Sequence, residues 1–417
     1  MLDTVVVIAG VLTFIPQMGT PNLSMLLTWE LVFVYAGVGF FWRGDERLTH
    51  AVKTVLLLCL ICTTLGWRTI DYINLRHSHK TSVFASVHDH ILQNESSVTF
   101  LLSGRNPYAS NYANTELVKW MGPGNPAIDH VIALPVTFFK SIPFELVWRH
   151  FFGWYDDRIS HLALLVLLVG ALYALPRDPA MKRLAVAAAV FNPLFPQFFI
   201  AGRSDVIFLS FLIASLALLR RGWLEAAMLV LALSLGSKHT AFFILPFLAV
   251  YLYRKGEFRS GRLYAYILPA FLLAGIFVPF LLWDFKAFIT DTISYPAGTI
   301  PTSYPINGYT LARILVTLHV IPNVRSAFPL WPFAVVLLPL LGFLLWHVWR
   351  KPTLGNVLLA CGCFLCPFWF FSRFFHDNYV GVVISIIVLG AVLLQDETLK
   401  TLRTHPRWKF WRRWEKE

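Results

Sequence analysis

The run L-Y-A-Y-I-L-P-A-F-L-L-A-G-I-F-V-P-F-L-L-W, residues 263–283, decides the class of fold. It contains no charged side chain, although Arg262 and Asp284 lie directly beside its two ends. Its length matches the about 20 mainly apolar residues that an α-helix needs to cross the hydrocarbon core of a bilayer. The run therefore predicts a transmembrane helix.

Similar apolar runs follow one another along the rest of the chain. The spans that we predict besides 263–283 are Met25–Trp42, Thr54–Trp67, Ile159–Leu175, Leu184–Ile200, Val206–Leu219, Trp223–Ser237, Ala241–Tyr253, Phe328–Trp349, Gly355–Phe371 and Tyr379–Gln395, with the short run Val5–Ile15 as a further candidate. We expect an all-α, polytopic transmembrane helical bundle of about 11 to 13 spans. No tandem repeat or low-complexity linker divides the chain, so residues 1–417 are predicted to form one integral-membrane domain.

Composition supports the membrane class. Charged residues make up only 14% of the chain and hydrophobic residues 57%, whereas soluble domains contain about 25% charged residues. The formal net charge of +12 does not indicate nucleic-acid binding, because the basic residues are not gathered into one patch with interleaved aromatic residues. They lie between the apolar runs, where membrane topology explains them.

The distribution of Lys and Arg predicts the orientation, since short cytoplasmic loops carry an excess of both. If the connection 43–53 is cytoplasmic, alternating spans place most of the 35 Lys and Arg residues on that side. The tail 396–417, with Trp408, Trp411 and Trp414 among basic residues, is then a cytoplasmic anchor on anionic lipid. The opposite face receives the polar segments, of which residues 68–158 form a long first outer loop. We expect Val131–Phe139 and Pro143–Trp154 to be helices that lie in the membrane interface.

The outer loop contains the sharpest catalytic candidate, Asp89, in the sequence His88-Asp89-His90. A carboxylate at the membrane rim can act as general base on an acceptor hydroxyl, although Asp is also a favoured N-cap for a helix over 91–102. Glu95 lies nearly two helical turns further on and can face the same side. His88 and His90 are either metal ligands or polar residues of the membrane interface, and the sequence does not decide between the two roles.

Several short polar segments fall on the same predicted face. Gly202-Arg203-Ser204-Asp205 suits phosphate binding through Arg203, or a structural Arg203–Asp205 interaction. Lys238 is either a second phosphate ligand or a lysine that reaches the interface. The turn that ends in Tyr108, and the segment from Arg373 to Tyr379, complete the set.

Together these motifs resemble the C-type superfamily of integral-membrane glycosyltransferases, particularly its polyprenyl-phosphate-sugar-dependent mannosyltransferase-like members. The resemblance rests on short segments: His88-Asp89 through Gln93 and Glu95, Gly104-Arg105-Asn106-Pro107-Tyr108, Asn192-Pro193, Gly202-Arg203-Ser204-Asp205, Ser237-Lys238-His239, and Arg373 through Tyr379. It implies an inverting sugar transfer from a lipid-phosphate sugar. Family sites often hold a closely spaced acidic pair, so the partner of Asp89 stays open between Glu95, Asp157 and Asp205.

The resemblance also implies the roles of the site residues. Asp89 is the general base, with Glu95 as the second catalytic residue that we select, and Arg203, Lys238 and Arg373 bind the donor phosphate. The substrate-binding residues are His88, Gln93, Tyr108, Asp205, His239, His376, Asn378 and Tyr379. Because some members of the superfamily use a divalent metal and others do not, the metal requirement stays open.

The expected function is transfer of a mannose-like hexose from a polyprenyl phosphate to a hydroxyl of a glycan, lipid or protein, within a membrane and without nucleic acid. The site faces the outside of the cell membrane, or the lumen of the endoplasmic reticulum in a eukaryote, and the C-terminus is cytoplasmic. The alternatives are a lipid-linked glycan flippase or transporter and a non-catalytic membrane scaffold. A transporter is expected to carry charged residues in mid-membrane, whereas here they cluster at the span ends.

Overall fold

The computed structural model describes residues 2–14, 23–79, 82–121, 125–259, 261–328 and 331–404. Over these residues the chain is all-α, as predicted, with strands only at β1 (Asn307–Gly308) and β2 (Phe374–Phe375), which pair in parallel. The basic tail predicted over 396–417 is described only as far as residue 404, so its three tryptophans lie outside the described residues.

The helices follow most of the apolar runs. The span predicted over Thr54–Trp67 is longer than expected, because the helix runs from Glu46 to His77, so the outer loop predicted over 68–158 was wrong at its start and begins after His77. The first group is α1 (Leu2–Phe14), α2 (Leu23–Phe40), α3 (Glu46–Ile61) and α4 (Trp67–His77), with a π-helical turn Cys62–Gly66 joining the last two. The long loop then contains α5 (Val83–Ser86), α6 (Asp89–Leu102), α7 (Val118–Met121), α8 (Val136–Phe139) and α9 (Ile142–Phe152). Two 3₁₀ turns, Pro107–Ala109 and Pro126–Ile128, separate these short helices.

The remaining helices form the rest of the bundle and a second polar loop. They are α10 (Arg158–Ala174), α11 (Pro179–Val190), α12 (Phe195–Ala201), α13 (Asp205–Arg220), α14 (Leu224–Leu235), α15 (Leu245–Lys255) and α16 (Tyr264–Trp283), with 3₁₀ turns His239–Ile244 and Glu257–Arg259. Then follow α17 (Phe285–Ile289), a π-helical turn Thr290–Ser294, α18 (Tyr295–Ala297), α19 (Leu311–Thr317), α20 (Trp331–Arg350), α21 (Leu354–Phe370) and α22 (Asp377–Thr404).

Within the described ranges, four helices are long and apolar enough to cross a membrane. They are α2, the continuous helix 46–77, α16 and residues 377–399 of α22, and the bent pair α11–α12 makes a fifth if it is one span. Shorter apolar helices include α1, α10, α14, α21 and residues 335–350 of α20. α13 is buried along nearly its whole length between α10 and α14, as expected for a helix that is apolar all round. These helices are compatible with an integral membrane protein.

The span predicted as one helix over Leu184–Ile200 is broken. α11 and α12 meet at 60°, because Pro193 has no N–H to continue the helical hydrogen bonds. The Asn192 side chain bonds both sides of the break: Oδ1 accepts from the backbone N–H groups of Leu194 at 3.0 Å and Phe195 at 3.1 Å, while Nδ2 donates to Ser385 Oγ at 2.7 Å. The bend is thereby tied to α22.

The polar segments gather at two ends of the helical bundle. At one end, which we call the loop end, Lys238 contacts Asp205 and the His88 N–H donates to the Ala201 carbonyl. At the opposite end Asp3 pairs with Lys53 and Arg183, and Arg220 pairs with Asp396. Segments that the topology prediction assigned to one side therefore contact one another.

The two predicted interfacial helices differ in their surroundings. α9 exposes Leu146, Val147, Phe151 and Phe152, a pattern that suits contact with lipid. α8 is buried instead, and its Val136 N–H donates to the Gly236 carbonyl at 3.0 Å. α8 is thus a packing element between the long loop and the C-terminal end of α14, and the prediction of an interfacial helix over Val131–Phe139 was wrong.

Candidate functional site

A cavity of about 860 Å³ opens at the loop end. Its polar lining includes two cations, Lys238 and Arg373, and two imidazoles, His90 and His239. Much of the remaining wall is aromatic: Phe243, Phe328, Phe368, Trp369, Phe371, Phe374 and Tyr379. A cavity that joins cations to an aromatic wall suits a ligand with a charged head and an apolar chain.

Arg373 has an uncommon environment for a buried cation. Only 2% of the residue is exposed, yet its guanidinium donates to backbone carbonyls alone, those of Tyr304, Ser326 at 3.1 Å and Val324 at 3.3 Å. No carboxylate in the described part of the chain pairs with it. Because an uncompensated buried charge is costly, the side chain is suited to an anionic ligand.

The backbone around Arg373 is shaped for this side chain. Gly298 has φ +83°, and a Cβ there would lie 2.6 Å from the Arg373 Nη1 atom. Glycine therefore provides both the left-handed conformation and the space. The paired strands β1 and β2 hold the loop of Tyr304 against the segment of Arg373, with an Asn307 N–H to Arg373 carbonyl bond at 3.3 Å.

The other two predicted phosphate ligands belong to an ion cluster. Lys238 Nζ lies 2.5 Å from Asp205 Oδ1, and Asn378 Nδ2 donates to Asp205 Oδ2 at 2.7 Å. Arg203 donates to Asn378 Oδ1 at 2.5 Å and lies 3.4 Å from Asp377. The sequence allowed a structural interaction between Arg203 and Asp205. In the structure Asp205 pairs with Lys238 instead. Lys238 lines the cavity, whereas Arg203 lines a separate small pocket beside Asn378.

Asp89 begins α6 near the cavity. His88, rather than Asp89, is the N-cap residue, and the next residue, His90, lines the cavity. His88 Nδ1 lies 2.7 Å from Asp89 Oδ1. Burial acts to raise the pKa of the Asp89 carboxyl, but His88 and His90 outweigh it and lower that pKa below its ordinary value. Asp89 is therefore a carboxylate at neutral pH.

Neighbouring elements fix the position of this segment. The backbone N–H of His88 donates to the Ala201 carbonyl at 2.8 Å, at the end of α12, and Arg158 at the start of α10 donates to the Ser86 carbonyl at 2.7 Å. Gly202 has φ +93°, and a Cβ there would come within 2.3 Å of Ile91 in α6. The start of α6 is thus packed against two other helices.

Asp89 also lies close to the loop that holds Arg373. Burial and the Asp89 carboxylate both raise the pKa of the Tyr304 phenol, and the Tyr304 carbonyl accepts a hydrogen bond from Arg373. The Tyr304 hydroxyl lies 3.3 Å from His376 Nε2. Burial and the Arg203 guanidinium lower the pKa of His376 to about 4, which keeps this imidazole neutral. Tyr304 therefore lies close to three predicted site residues, namely Asp89, His376 and Arg373.

Of the predicted site residues, Lys238, His239, Arg373 and Tyr379 line the cavity. Glu95, Gln93 and Tyr108 are among those that do not, and each is held by other contacts. Glu95 is buried in a two-bond pair with Arg76 at 2.8 and 2.9 Å. Gln93 Nε2 donates to the carbonyls of Ala127 at 2.6 Å and His130 at 2.8 Å. The Tyr108 hydroxyl donates to the Ala133 carbonyl at 2.8 Å, and its ring packs against Phe138, Phe280 and Phe288. The contacts of all three hold the long loop together.

The other two candidates for a second catalytic carboxylate, Asp157 and Asp205, already accept hydrogen bonds from neighbouring side chains. Asp157 accepts from Lys140 at 2.6 Å, Ser141 at 2.6 Å and the Tyr155 hydroxyl at 2.8 Å, and Asp205 is bound by Lys238 and Asn378. Asp89, whose side chain is 21% exposed, is thus the accessible carboxylate among the four that the sequence proposed.

The cavity includes residues that were not among the predicted site residues. His90, Thr240 and Ser237 all contribute to its wall. His90 directly follows Asp89 in the sequence, and Ser237 and Thr240 lie within two residues of Lys238. This closeness in the sequence could have identified them. In the part of the chain that the structure describes, no group of three His, Cys, Asp or Glu residues is arranged to hold a metal ion. His88 contacts Asp89, while His90 lines the cavity.

Comparison with known proteins gives no relative. No family model, curated protein or solved structure matches the chain.

Proposed function

We propose that this protein is a membrane glycosyltransferase that moves a hexose from a polyprenyl phosphate to an acceptor hydroxyl, with Asp89 as general base. The observation that carries the proposal is the cavity at the loop end. It joins the buried guanidinium of Arg373, which has no carboxylate partner in the described part of the chain, to an aromatic wall. The accessible carboxylate of Asp89 lies near the loop of Tyr304, which contacts Arg373.

Arg373 is the principal ligand of the donor phosphate. Its carbonyl contacts hold the guanidinium in place before the ligand arrives, so little reorganisation is needed when negative charge develops on the leaving group. Lys238 assists from the same wall, although Asp205 already compensates part of its charge. The aromatic residues of the wall contact the first part of the prenyl chain.

Asp89 accepts the proton of the acceptor hydroxyl. As the acceptor oxygen forms its bond to the anomeric carbon, the bond from that carbon to the phosphate oxygen breaks, and the electron pair leaves with the polyprenyl phosphate. Because the pKa of Asp89 is lowered, the residue is in the base form before the reaction. The proton moves to Asp89, and the leaving phosphate needs none.

The proposed topology places this cavity on the non-cytoplasmic face. We count α1, α2, the helix 46–77, α10, α11–α12 and α13 to α16 as spans, together with α20 to α22. These are 12 spans, a number within the range of about 11 to 13 expected from the sequence. Spans shorter than the usual length, such as α14 and α15, pack inside the bundle or continue into a 3₁₀ turn. The basic connections then face the cytoplasm.

The test is transfer by the purified protein in lipid nanodiscs. Mannosyl and glucosyl esters of a radiolabelled polyprenyl phosphate are supplied with a membrane extract as acceptor, with and without chelator. We expect release of polyprenyl phosphate, and we expect Asp89→Asn to reduce the rate by about 10²–10⁴-fold while donor binding is kept. Asp129→Asn, an exposed aspartate of the same loop, is the matched control and is expected to keep the wild-type rate.

Arg373→Met separates donor binding from chemistry. We expect weaker binding of the lipid phosphate itself, since hydrogen bonds to a charged group contribute about 1.5–3 kcal/mol each. A wild-type rate in Asp89→Asn removes Asp89 as the base. Binding of the lipid phosphate without transfer from any donor favours a lipid-phosphate carrier or scaffold instead.

A further inference from the structure

A charged side chain lies on the exposed face of α2. Residues Leu23–Phe40 of this helix are long and apolar enough to cross a membrane, yet Glu30 within them is exposed. It has no hydrogen-bond or ion-pair partner among the described residues. Ionisable residues within membrane spans are rare and almost always face the bundle interior or a water-filled cavity. Because Glu30 faces outwards, it is suited to a partner outside its own chain.

α16 provides a comparison within the same protein. Its candidate span and that of α2 are each 22% buried, so both helices present most of their surface to the surroundings of the bundle. Residues Tyr264–Trp283 of α16 contain no charged side chain, whereas α2 carries Glu30. Contact with lipid alone therefore explains the sequence of α16 but not that of α2.

Glu30 lies deep in the candidate span. At a rise of about 1.5 Å per residue, it stands about 10 Å from the first residue of α2 and about 15 Å from the last. The glutamate side chain is shorter than the lysine and arginine side chains that extend from helix ends to the membrane interface. Because lipid tails offer no hydrogen-bond partners, another protein surface has to supply them.

The exposed residues of α2 form a stripe along one face of the helix. Leu23, Leu26, Glu30 and Phe33 follow one another at alternating spacings of three and four residues, and Gly37 continues the series. This spacing is typical of a helix that packs along its length against another helix. An added Cβ at Gly37 would meet nothing within 4 Å, so a neighbouring backbone can approach closely there.

We propose that the stripe of α2 is the interface of a homodimer, in which the Glu30 carboxyl groups of two copies form hydrogen bonds with each other. Copies in one membrane have the same orientation, so a two-fold axis along the membrane normal brings identical residues to the same depth. A carboxyl group that carries its proton both donates and accepts hydrogen bonds, and two such groups therefore satisfy one another. A partner with a lysine or arginine at this depth would bring a second costly charge into the membrane. The inference is independent of the proposed sugar transfer.

Association of the full-length protein in liposomes tests the dimer. Donor-labelled and acceptor-labelled copies are mixed at decreasing protein-to-lipid ratios, and energy transfer reports association. We expect Glu30→Leu to raise the dissociation constant of the dimer about tenfold, because interhelical hydrogen bonds are lost. Glu30→Gln, whose amide also donates and accepts, is expected to associate as wild type does. Glu46→Leu removes an exposed carboxylate at the start of α3 and is the matched control, with unchanged association.

Cross-linking locates the interface on the helix. Phe33→Cys on α2 and Phe271→Cys on α16 change phenylalanines of similar exposure, 67% and 72%, in a background without the five native cysteines. We expect oxidation to link two copies through position 33 and not through position 271. Thermal unfolding in detergent identifies any variant that has lost its fold.

Several results would overturn the proposal. They are a monomer at every protein density, equal cross-linking at the two positions, and loss of the dimer in Glu30→Gln. A wild-type monomer that binds a synthetic leucine-rich helix with one central lysine, but not the same helix without it, would assign the stripe to a cationic partner instead. Because association is the readout, none of these results depends on the activity of the protein.

Discussion

The ionisation of Asp89 depends on its two histidine neighbours. Burial alone would raise the pKa of this carboxyl, and the contact of His88 Nδ1 at 2.7 Å acts in the opposite direction. The residue needed as a base in the proposed reaction is therefore kept charged by a side chain next to it in the sequence. Arg373 is the contrasting case, because among the described residues its buried guanidinium donates hydrogen bonds to backbone carbonyls and to no carboxylate.

At the scale of single residues, His88→Ala is predicted to shift the pH dependence of transfer. Removing the imidazole lets burial dominate, so the pKa of Asp89 rises. The base is active when deprotonated, so the rate falls as the pH drops through that pKa, and in the variant this fall occurs at a higher pH. The measurement is kcat/KM between about pH 4 and 8. An unchanged acidic limb would show that His88 does not control Asp89, and His150→Ala provides the control profile.

Secondary-structure elements are joined at the loop end by a buried ionic network. Arg76 at the end of α4 contacts Glu95 of α6, Glu116 in the loop before α7 and Asp156 before α10. Arg158 adds a second contact to Asp156, with Nη2 to Oδ2 at 2.7 Å. The network connects the long loop to two helices of the bundle and so keeps α6, which carries Asp89, in place.

The element-scale prediction concerns Arg76→Met. The substitution leaves Glu95 and Asp156 buried with one cation fewer, which costs about 3–5 kcal/mol of unfolding free energy for a broken buried pair. We expect a lower melting temperature in detergent and a reduced transfer rate. Arg105→Met, an exposed arginine of the same loop, is expected to change stability by less than about 0.5 kcal/mol. Equal melting of the two variants would contradict a stabilising role for the network.

The whole molecule has two distinct polar ends. The loop end contains the cavity, Asp89 and the cluster around Asp205, and the opposite end holds the ion pairs of Asp3 and Asp396. These ion pairs lie towards the ends of the helices, as a bilayer favours, whereas Glu30 stands exposed in the middle of α2.

At the molecular scale, the proposed topology predicts which end faces the cytoplasm. We expect Ser103→Cys, in the long loop, to react with an impermeant maleimide added outside intact cells. Glu46→Cys, at the opposite end, should react only after the membrane is opened. Both positions are exposed, and a variant without the five native cysteines is the background. The reverse labelling pattern would invert the orientation and place the site in the cytoplasm.

The sequence by itself determined the all-α class, the position of most helices and the grouping of polar segments, because these follow from hydropathy along short windows of the chain. It also singled out Asp89 and Arg373. It did not show the break at Asn192-Pro193 or the burial of α8.

Only the tertiary structure decided which charges are compensated. Glu95 is paired with Arg76 from another helix, and Lys238 takes the Asp205 carboxylate that was also considered for Arg203. The same contacts leave Asp89 accessible and Arg373 without a carboxylate among the described residues. The physical reason is that charge compensation depends on contacts between residues far apart in the chain, whereas hydropathy is a local property. The assignment of roles within the site therefore required the fold.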